Sequence, residues 1–297
     1  MGGPLRHRSR APLFHKIRMP LPSPILESLN DRRLALIGAG VIGRILIQRL
    51  QFLHFPRKQL MLCDADPARG ARLQREFGLK TCPLADECCR ADIWLIATPP
   101  AAVIPTLRTL TARLRPGQVV ISFAAGVSLA RLEAETPLGV AVVRIMPNAL
   151  SLIGRGVNPV AYGRGRTLQS MAEVQAILNA LGESIVLEDD QMDWAVGLTG
   201  ASMRWLLPVL EGMTQAGLDA GLSAADARWL AAKMMAGTAA LALETDKSFD
   251  EMKALTSVQA ADEDAIRRIF RDAARRARAM AAEMAQSLDQ ESGEAVE

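Results

Sequence analysis

The sequence predicts an α/β protein, a Rossmann-type doubly wound parallel sheet followed by an all-α C-terminal domain, and three observations predict it. Gly38-x-Gly40-x-x-Gly43 lies between an apolar run of strand length, "RRLALIG", and "VIGRILIQRLQ", whose apolar residues recur at helical spacing. Short apolar runs then alternate with helical stretches, as a parallel sheet with crossover helices requires. From about residue 166 the texture changes, and nearly everything that follows reads as helix rich in Ala, Leu and Met.

The elements follow in order. Residues 1–30 read as a disordered basic leader carrying Arg6, Arg8, Arg10, Lys16 and Arg18, with Met19 as an alternative start. The leader lacks the continuous apolar stretch of about 7 to 15 residues that a secretory signal needs. Residues 31–165 form the dinucleotide-binding domain. Its strands are "RRLALIG", "QLMLCDAD", "ADIWLIATPP", "GQVVISFAAG" and "VAVVRIMPN". Residues 166–297 form a helical dimerisation and substrate domain. It opens with the helix "LQSMAEVQAILNALG" and the short strand "ESIVLED", continues through one long helical run up to "LDAGL", and ends in a helix starting at Asp262. These helices are apolar around more of their circumference than a single buried stripe uses, so the domain is expected to pair with its copy in a homodimer or higher homo-oligomer.

Composition excludes several functions. The chain has 297 residues, 49% hydrophobic and 23% charged, and its net charge of +3 resides in the leader, so no nucleic-acid surface is expected. No run of about 18 apolar residues suggests a membrane span. Cys63, Cys82, Cys88 and Cys89 fit neither zinc spacing nor a disulfide framework, which argues for a reducing cytoplasm and no metal. Six arginines crowd the last helix, but Asp264, Asp272 and Glu283 stand at pairing distance, as on a solvated face. Glu188-Asp189-Asp190 reads as a helix start.

The glycine turn is the centre of the functional reading. Gly38, Gly40, Val41, Ile42 and Gly43 would aim open helix amides at a pyrophosphate, and Asp64, about 20 residues on, stands where an acid meets the adenosine ribose. Proton chemistry has few candidates. The three histidines are His7, His15 and His54, two of them in the leader, and the single tyrosine, Tyr162, has no lysine four residues on.

The chain resembles the pyrroline-5-carboxylate reductase family from Leu34 to about Arg268. "ISFAAGVSLARLE" is similar to the family's Ser-x-Ala-Ala-Gly-Val stretch. "VVRIMPNALSLIGRGV" is similar to its Arg-x-Met-Pro-Asn-Thr-Pro stretch, and the domain junction and helical domain match in order and spacing. The resemblance implies an NAD(P)H-dependent reductase acting on the C=N bond of a small imino acid. Ala97, Thr98, Pro99, Ala125, Gly126, Met146, Pro147 and Asn148 join the cofactor set, and no catalytic side chain is assigned. A protonated imine is already electrophilic, so such a site has to position more than to donate protons. NADP-using members carry Asn-Arg or Ser-Arg where this chain has Asp64-Ala65, so NADH is expected to be preferred and NADPH tolerated, with Arg69 softening the choice.

The departures fall in the substrate loops. Thr199-Gly200-Ala201-Ser202-Met203-Arg204-Trp205 replaces the family's Ser-Gly-x-x-Pro-Ala-Tyr, and Val258-Gln259-Ala260-Ala261-Asp262-Glu263 replaces Ser-Pro-Gly-Gly-Thr-Thr. The substrate set is therefore Asn148, Ser202, Arg204, Asp262 and Glu263, with Arg204 as a carboxylate clamp for an anionic imine or keto acid. Asp262 and Glu263 either repel that anion, giving poor activity on pyrroline-5-carboxylate, or turn onto helix amides as caps. A reductase of a small carbonyl acid and a catalytically silent nucleotide-binding dimer are the alternative readings.

Overall fold

The computed structural model describes residues 24–64, 66–84 and 90–294. Residues 1–23 of the expected leader, Ala65, Cys88 and Cys89 lie outside the described residues.

Eight strands form one sheet: β1 (Leu34–Ile37), β2 (Leu60–Cys63), β3 (Lys80–Thr81), β4 (Ile93–Ile96), β5 (Val119–Ser122), β6 (Ala141–Ile145), β7 (Gly156–Tyr162) and β8 (Gly182–Val186). Their order is β3-β2-β1-β4-β5-β6-β7-β8, parallel throughout except between β6 and β7. Every residue of β1, β4, β5 and β6 is buried, because helices cover both faces and alternate residues feed opposite cores. Leu34, Leu36, Ile93, Leu95 and Ile121 pack on one side with α1 (Val41–Phe52) and α5 (Leu168–Leu181). Ala35, Ile37, Trp94, Ile96 and Val120 pack on the other with α3 (Pro100–Thr111). Two short helices, α2 (Pro67–Phe77) and α4 (Leu129–Ala134), complete the crossovers.

The structure corrects the sequence reading at four places. The leader was expected to run to residue 30, but Pro24–Leu29 forms a 3-10 helix, with Leu29 fully buried and docked on α5. β7 was not anticipated, because Asn158 and Pro159 interrupt its apolar pattern. Asn158 is nonetheless fully buried and satisfied, its Nδ2 donating to the Glu183 carbonyl at 2.9 Å and its Oδ1 accepting from Ser151 Oγ at 3.0 Å. β8 pairs with β7, so residues 166–186 extend the sheet instead of opening the second domain. On that pairing we place the domain boundary near residue 188. Finally, the long helical run breaks into α6 (Met192–Ala195), a π-helical turn (Val196–Gly200) and α7 (Ser202–Asp219).

The helical region continues with α8 (Ala224–Glu244), α9 (Phe249–Lys253) and α10 (Glu263–Glu294). α7 and α8 form a hairpin in which none of the 18 residues of α7 is buried, and α8 buries only Ala227 and Ala231. Trp229, Leu230, Met234 and Leu243 are exposed. α10 returns to the sheet domain, with Ala274 and Ala281 buried and the Arg278 guanidinium 4.5 Å above the Trp194 ring. Among the described residues no helix is long and apolar enough to cross a membrane.

Candidate cofactor and active site

The turn from β1 into α1 is shaped by backbone contacts. Gly38 adopts φ +84°, and a Cβ there would stand 2.8 Å from the Ala97 carbonyl at the end of β4. A Cβ at Gly43 would overlap the Gly38 carbonyl, so the third glycine lets α1 sit directly against the turn. Gly40 caps α1 without a side chain, leaving the first-turn amides facing a cleft.

Asp64 fixes the rim of that cleft. One carboxylate oxygen accepts from the Ala39 amide at 3.3 Å and the other from the Asp66 amide at 2.9 Å, which ties the end of β2 to the glycine turn. Its side chain is 3% exposed, whereas Arg69, whose Nη1 lies 3.7 Å away, is 48% exposed. Two adjoining clefts open here. One of about 510 Å³ is bordered by Gly38, Cys63, Asp64, Arg69, Thr98 and Pro99. The other, of about 370 Å³, is bordered by Gly40, Val41, Ile42, Ala97, Ala125 and Met284. Thr98 borders both, and its buried Oγ1 has no hydrogen-bond partner among the described residues. A buried hydroxyl facing a groove, open amides and a bare glycine turn together fit the ribose-pyrophosphate of a dinucleotide.

The remaining sequence-assigned cofactor residues are distributed differently. Gly126 takes φ +72° in the turn after β5. Met146 is buried with Ala161, Met192 and Ala195, joining the end of β6 to α6. Pro147 is buried beside it, and Asn148 spends its amide on its own chain: Oδ1 caps the following 3-10 turn through Leu150 N at 3.1 Å, and Nδ2 donates to the Val157 carbonyl at 3.0 Å. Asn148 thus shapes the loop.

The residues expected to bind substrate lie away from the two clefts. Ser202 begins α7 and donates to the Thr199 carbonyl at 3.3 Å, and Arg204 is exposed on the same helix with no ion pair among the described residues. Asp262 caps α10, accepting from the Ala265 amide at 2.9 Å. Glu263 lies 3.4 Å from Lys253 Nζ and 3.6 Å from Arg267 Nη1. None of these four lines either cleft. The Tyr162 hydroxyl is pushed above its ordinary range by burial, so it does not ionise near neutral pH. Among the described residues no group of three or more His, Cys, Asp or Glu is placed to hold a metal.

Sequence reasoning missed one functional contact. Arg144, buried in β6, pairs with Asp189 just before α6, and Asp189 also accepts from the Leu129 amide at 2.9 Å. The pair fastens the helical domain to the sheet. Its signal was present: a lone arginine inside "VVRIM" needs an acid partner, and the run Glu188-Asp189-Asp190 offers one.

Residues 33–126 match a family model described as NADP oxidoreductase, coenzyme F420-dependent, and residues 189–291 match one for pyrroline-5-carboxylate reductase dimerisation. A pyrroline-5-carboxylate reductase of Mycobacterium tuberculosis is 33% identical over 218 residues, covering 71% of this chain and 74% of that protein. In fold, the chain is similar to Plasmodium falciparum pyrroline carboxylate reductase solved with NADP bound (TM-score 0.75, 17% identity, 86% of this chain and 99% of that one). It is also similar to a pyrroline-5-carboxylate reductase of Coxiella burnetii (TM-score 0.70, 21% identity, 87% and 99%). With the glycine turn, the helical domain and a relative this similar over most of both chains, the protein belongs to the pyrroline-5-carboxylate reductase family.

Proposed function

We propose that the chain is an NAD(P)H-dependent reductase of the C=N bond in a small cyclic imino acid, pyrroline-5-carboxylate or a close analogue, working as a homodimer or larger homo-oligomer through α7–α10. The single observation that carries the reading is the glycine turn with its open α1 amides and the orphan Thr98 hydroxyl, a groove built for a dinucleotide. The relatives' activity supports the substrate class, and the exposed apolar faces of α7 and α8 support self-association.

A bound dihydronicotinamide supplies hydride; the chain supplies position and charge. Gly38 to Gly43 hold the pyrophosphate, Asp64 orients the adenosine ribose, and Thr98 and Ala125 border the path along the strand ends. Arg204, which has no ion pair among the described residues, is the cation assigned to a substrate carboxylate. An imine that binds protonated needs no side chain as general acid, which suits clefts lined by neither histidine nor tyrosine. The acids expected to repel the substrate are engaged elsewhere: Asp262 caps α10, and Glu263 is balanced by Lys253 and Arg267. These contacts support the alternative in which the acids turn onto the helix start and its neighbours instead of onto the substrate.

Asp64 supports NADH over NADPH. A buried carboxylate at the ribose rim accepts from a 2′-hydroxyl and repels a 2′-phosphate, a difference of roughly 1 to 3 kcal/mol that Arg69 reduces. Titration with both cofactors checks this, and tighter NADPH binding overturns it. NADH oxidation across cyclic imino acids and keto acids tests the reaction: turnover of keto acids alone would replace the imine reading. Arg204→Ala should raise KM for the anionic substrate about tenfold with the NADH Kd unchanged; unchanged kinetics would remove Arg204 from the site.

A further inference from the structure

We propose that Met284, near the end of α10, is a cofactor-binding residue that closes the outer side of the dinucleotide groove. The inference rests on the dinucleotide reading above but adds a contact from the opposite end of the chain.

α10 has 32 residues, a rod of about 48 Å at about 1.5 Å per residue. Its start, capped by Asp262, stands beside Lys253, far from the glycine turn in sequence and on the rod. Its middle is fastened to the domain junction. Gly197, in the π-helical turn, has no Cβ, and one added there would press on the Ala274 carbonyl, so α10 crosses that turn in backbone contact. One turn later Arg278 lies over Trp194, and Ala281 is 3% exposed. Residues 274, 278 and 281 thus mark a docked stripe at helical spacing, and Met284, three residues beyond Ala281, stands at its edge.

That edge reaches the groove. Met284 borders the same cleft as Gly40, Val41, Ile42 and Ala97, the surface assigned to the pyrophosphate. It is 44% exposed there and Val41 is 71% exposed, so two large apolar side chains face an open slot and stay in water until something fills it. A dinucleotide lying between them would cover both. A thioether suits such a wall: long and unbranched, it shifts to admit the ligand and then lies against it without competing for its phosphate oxygens. By keeping water from the outer side of the pyrophosphate, it also strengthens the ligand's bonds to the α1 amides.

The test measures NADH dissociation and affinity by stopped-flow fluorescence on the full-length protein. Met284→Ala should weaken NADH about fivefold, through faster release, while leaving KM for the imino acid at saturating NADH unchanged. Met284→Glu should weaken it further, because a carboxylate would face the pyrophosphate, and Met284→Leu should restore the wild-type value. Circular dichroism melting confirms that each variant is folded, as expected for a half-exposed position. NADH binding by Met284→Ala and Met284→Glu indistinguishable from wild type overturns the proposal. Wild-type protein that binds no nicotinamide dinucleotide at all would refute the underlying function instead, so the two failures are told apart.

Discussion

The central strands and the α7–α8 hairpin bury their apolar residues in opposite ways. In β1, β4, β5 and β6 every residue is buried, and Leu34, Leu36, Ile93, Leu95, Val119 and Ile121 are fully enclosed by helices of the same chain. In α7 no residue is buried, although Leu206, Leu207, Val209 and Met213 are as apolar as anything in the sheet. Both regions obey the same transfer free energy, about 25 cal/mol per Å² of apolar surface removed from water. The sheet domain realises it within one chain, because right-handed crossovers fold helices back over both faces. A two-helix hairpin has no second layer of its own, so its stabilisation has to come from another copy. The residues considered for the site divide the same way: the two clefts at the glycine turn are lined by the sheet domain and Met284, and Ser202, Arg204, Asp262 and Glu263 line neither.

The sharpest way to break this contrast is to charge the open face. Leu243 is 86% exposed at the end of α8, so Leu243→Asp costs little within a chain but places a carboxylate in any helix-to-helix interface. We expect loss of the oligomer, read by size-exclusion chromatography with light scattering, with the sheet domain still folded. Wild-type protein that is a stable monomer at micromolar concentration would show that the hairpin needs no partner.

A second substitution probes the seam between the regions. Buried Arg144 and partly exposed Asp189 form the pair that joins β6 to the start of the helical domain, and Leu129 N shares Asp189. Removing one member of such a pair strands the other, so Asp189→Ala should cost about 3 kcal/mol, somewhat less where water reaches the half-open carboxylate side. Replacing both, Arg144→Met with Asp189→Ala, should recover much of that loss. Equal destabilisation by the single and double variants in urea unfolding would show that the pair is not the fastening.

The same contrast explains what was legible in the sequence. The strands β1, β2, β4, β5 and β6 could be read because each is a short, predominantly apolar run bounded by turn residues, and the glycine turn because its three glycines sit between a strand and a helix. β7 was hidden by Asn158 and Pro159, whose place in a buried strand depends on Ser151 and Glu183, neighbours that only the fold supplies. The break at Val196–Gly200 was invisible too. A π-helical turn has no compositional mark, and it coincides with the close approach of Ala274 from α10 to Gly197. Asp262 and Glu263 were legible as acids but not as engaged acids, since the cap and the Lys253 and Arg267 pairs depend on how α9 and α10 meet. Met284 carried no signal at all: a methionine in an Ala- and Arg-rich helix is ordinary until the helix is laid across the groove.

The smallest expected effect lies at the outer edge of the helical region, in the five-residue helix α9. Ser248 caps it, its Oγ accepting from the Glu251 amide at 3.3 Å, while the Glu251 carboxylate accepts from the Ser248 amide at 2.8 Å. That backbone amide, and then the Ser248 hydroxyl, hold the Glu251 carboxyl below its ordinary value of 4.5, and Lys253 holds Asp250 down as well. A carboxyl whose folded value is depressed contributes stability that is present above its unfolded value and is lost as pH falls through the folded one. The cap should therefore be intact at pH 6 and weaken below about pH 4, and because α9 is solvent-exposed the change should stay local and leave global melting unmoved. Hydrogen exchange at the Ser248 amide reads it: after correction for the intrinsic rate, protection should fall between pH 6 and pH 3 in the wild type. In Glu251→Gln, whose amide oxygen still accepts but does not titrate, protection should be flat. The same pH dependence in both proteins would place the acid-sensitive element elsewhere, and loss of protection across β1 and β4 over the same range would mean that the sheet is not the independent unit the comparison makes it.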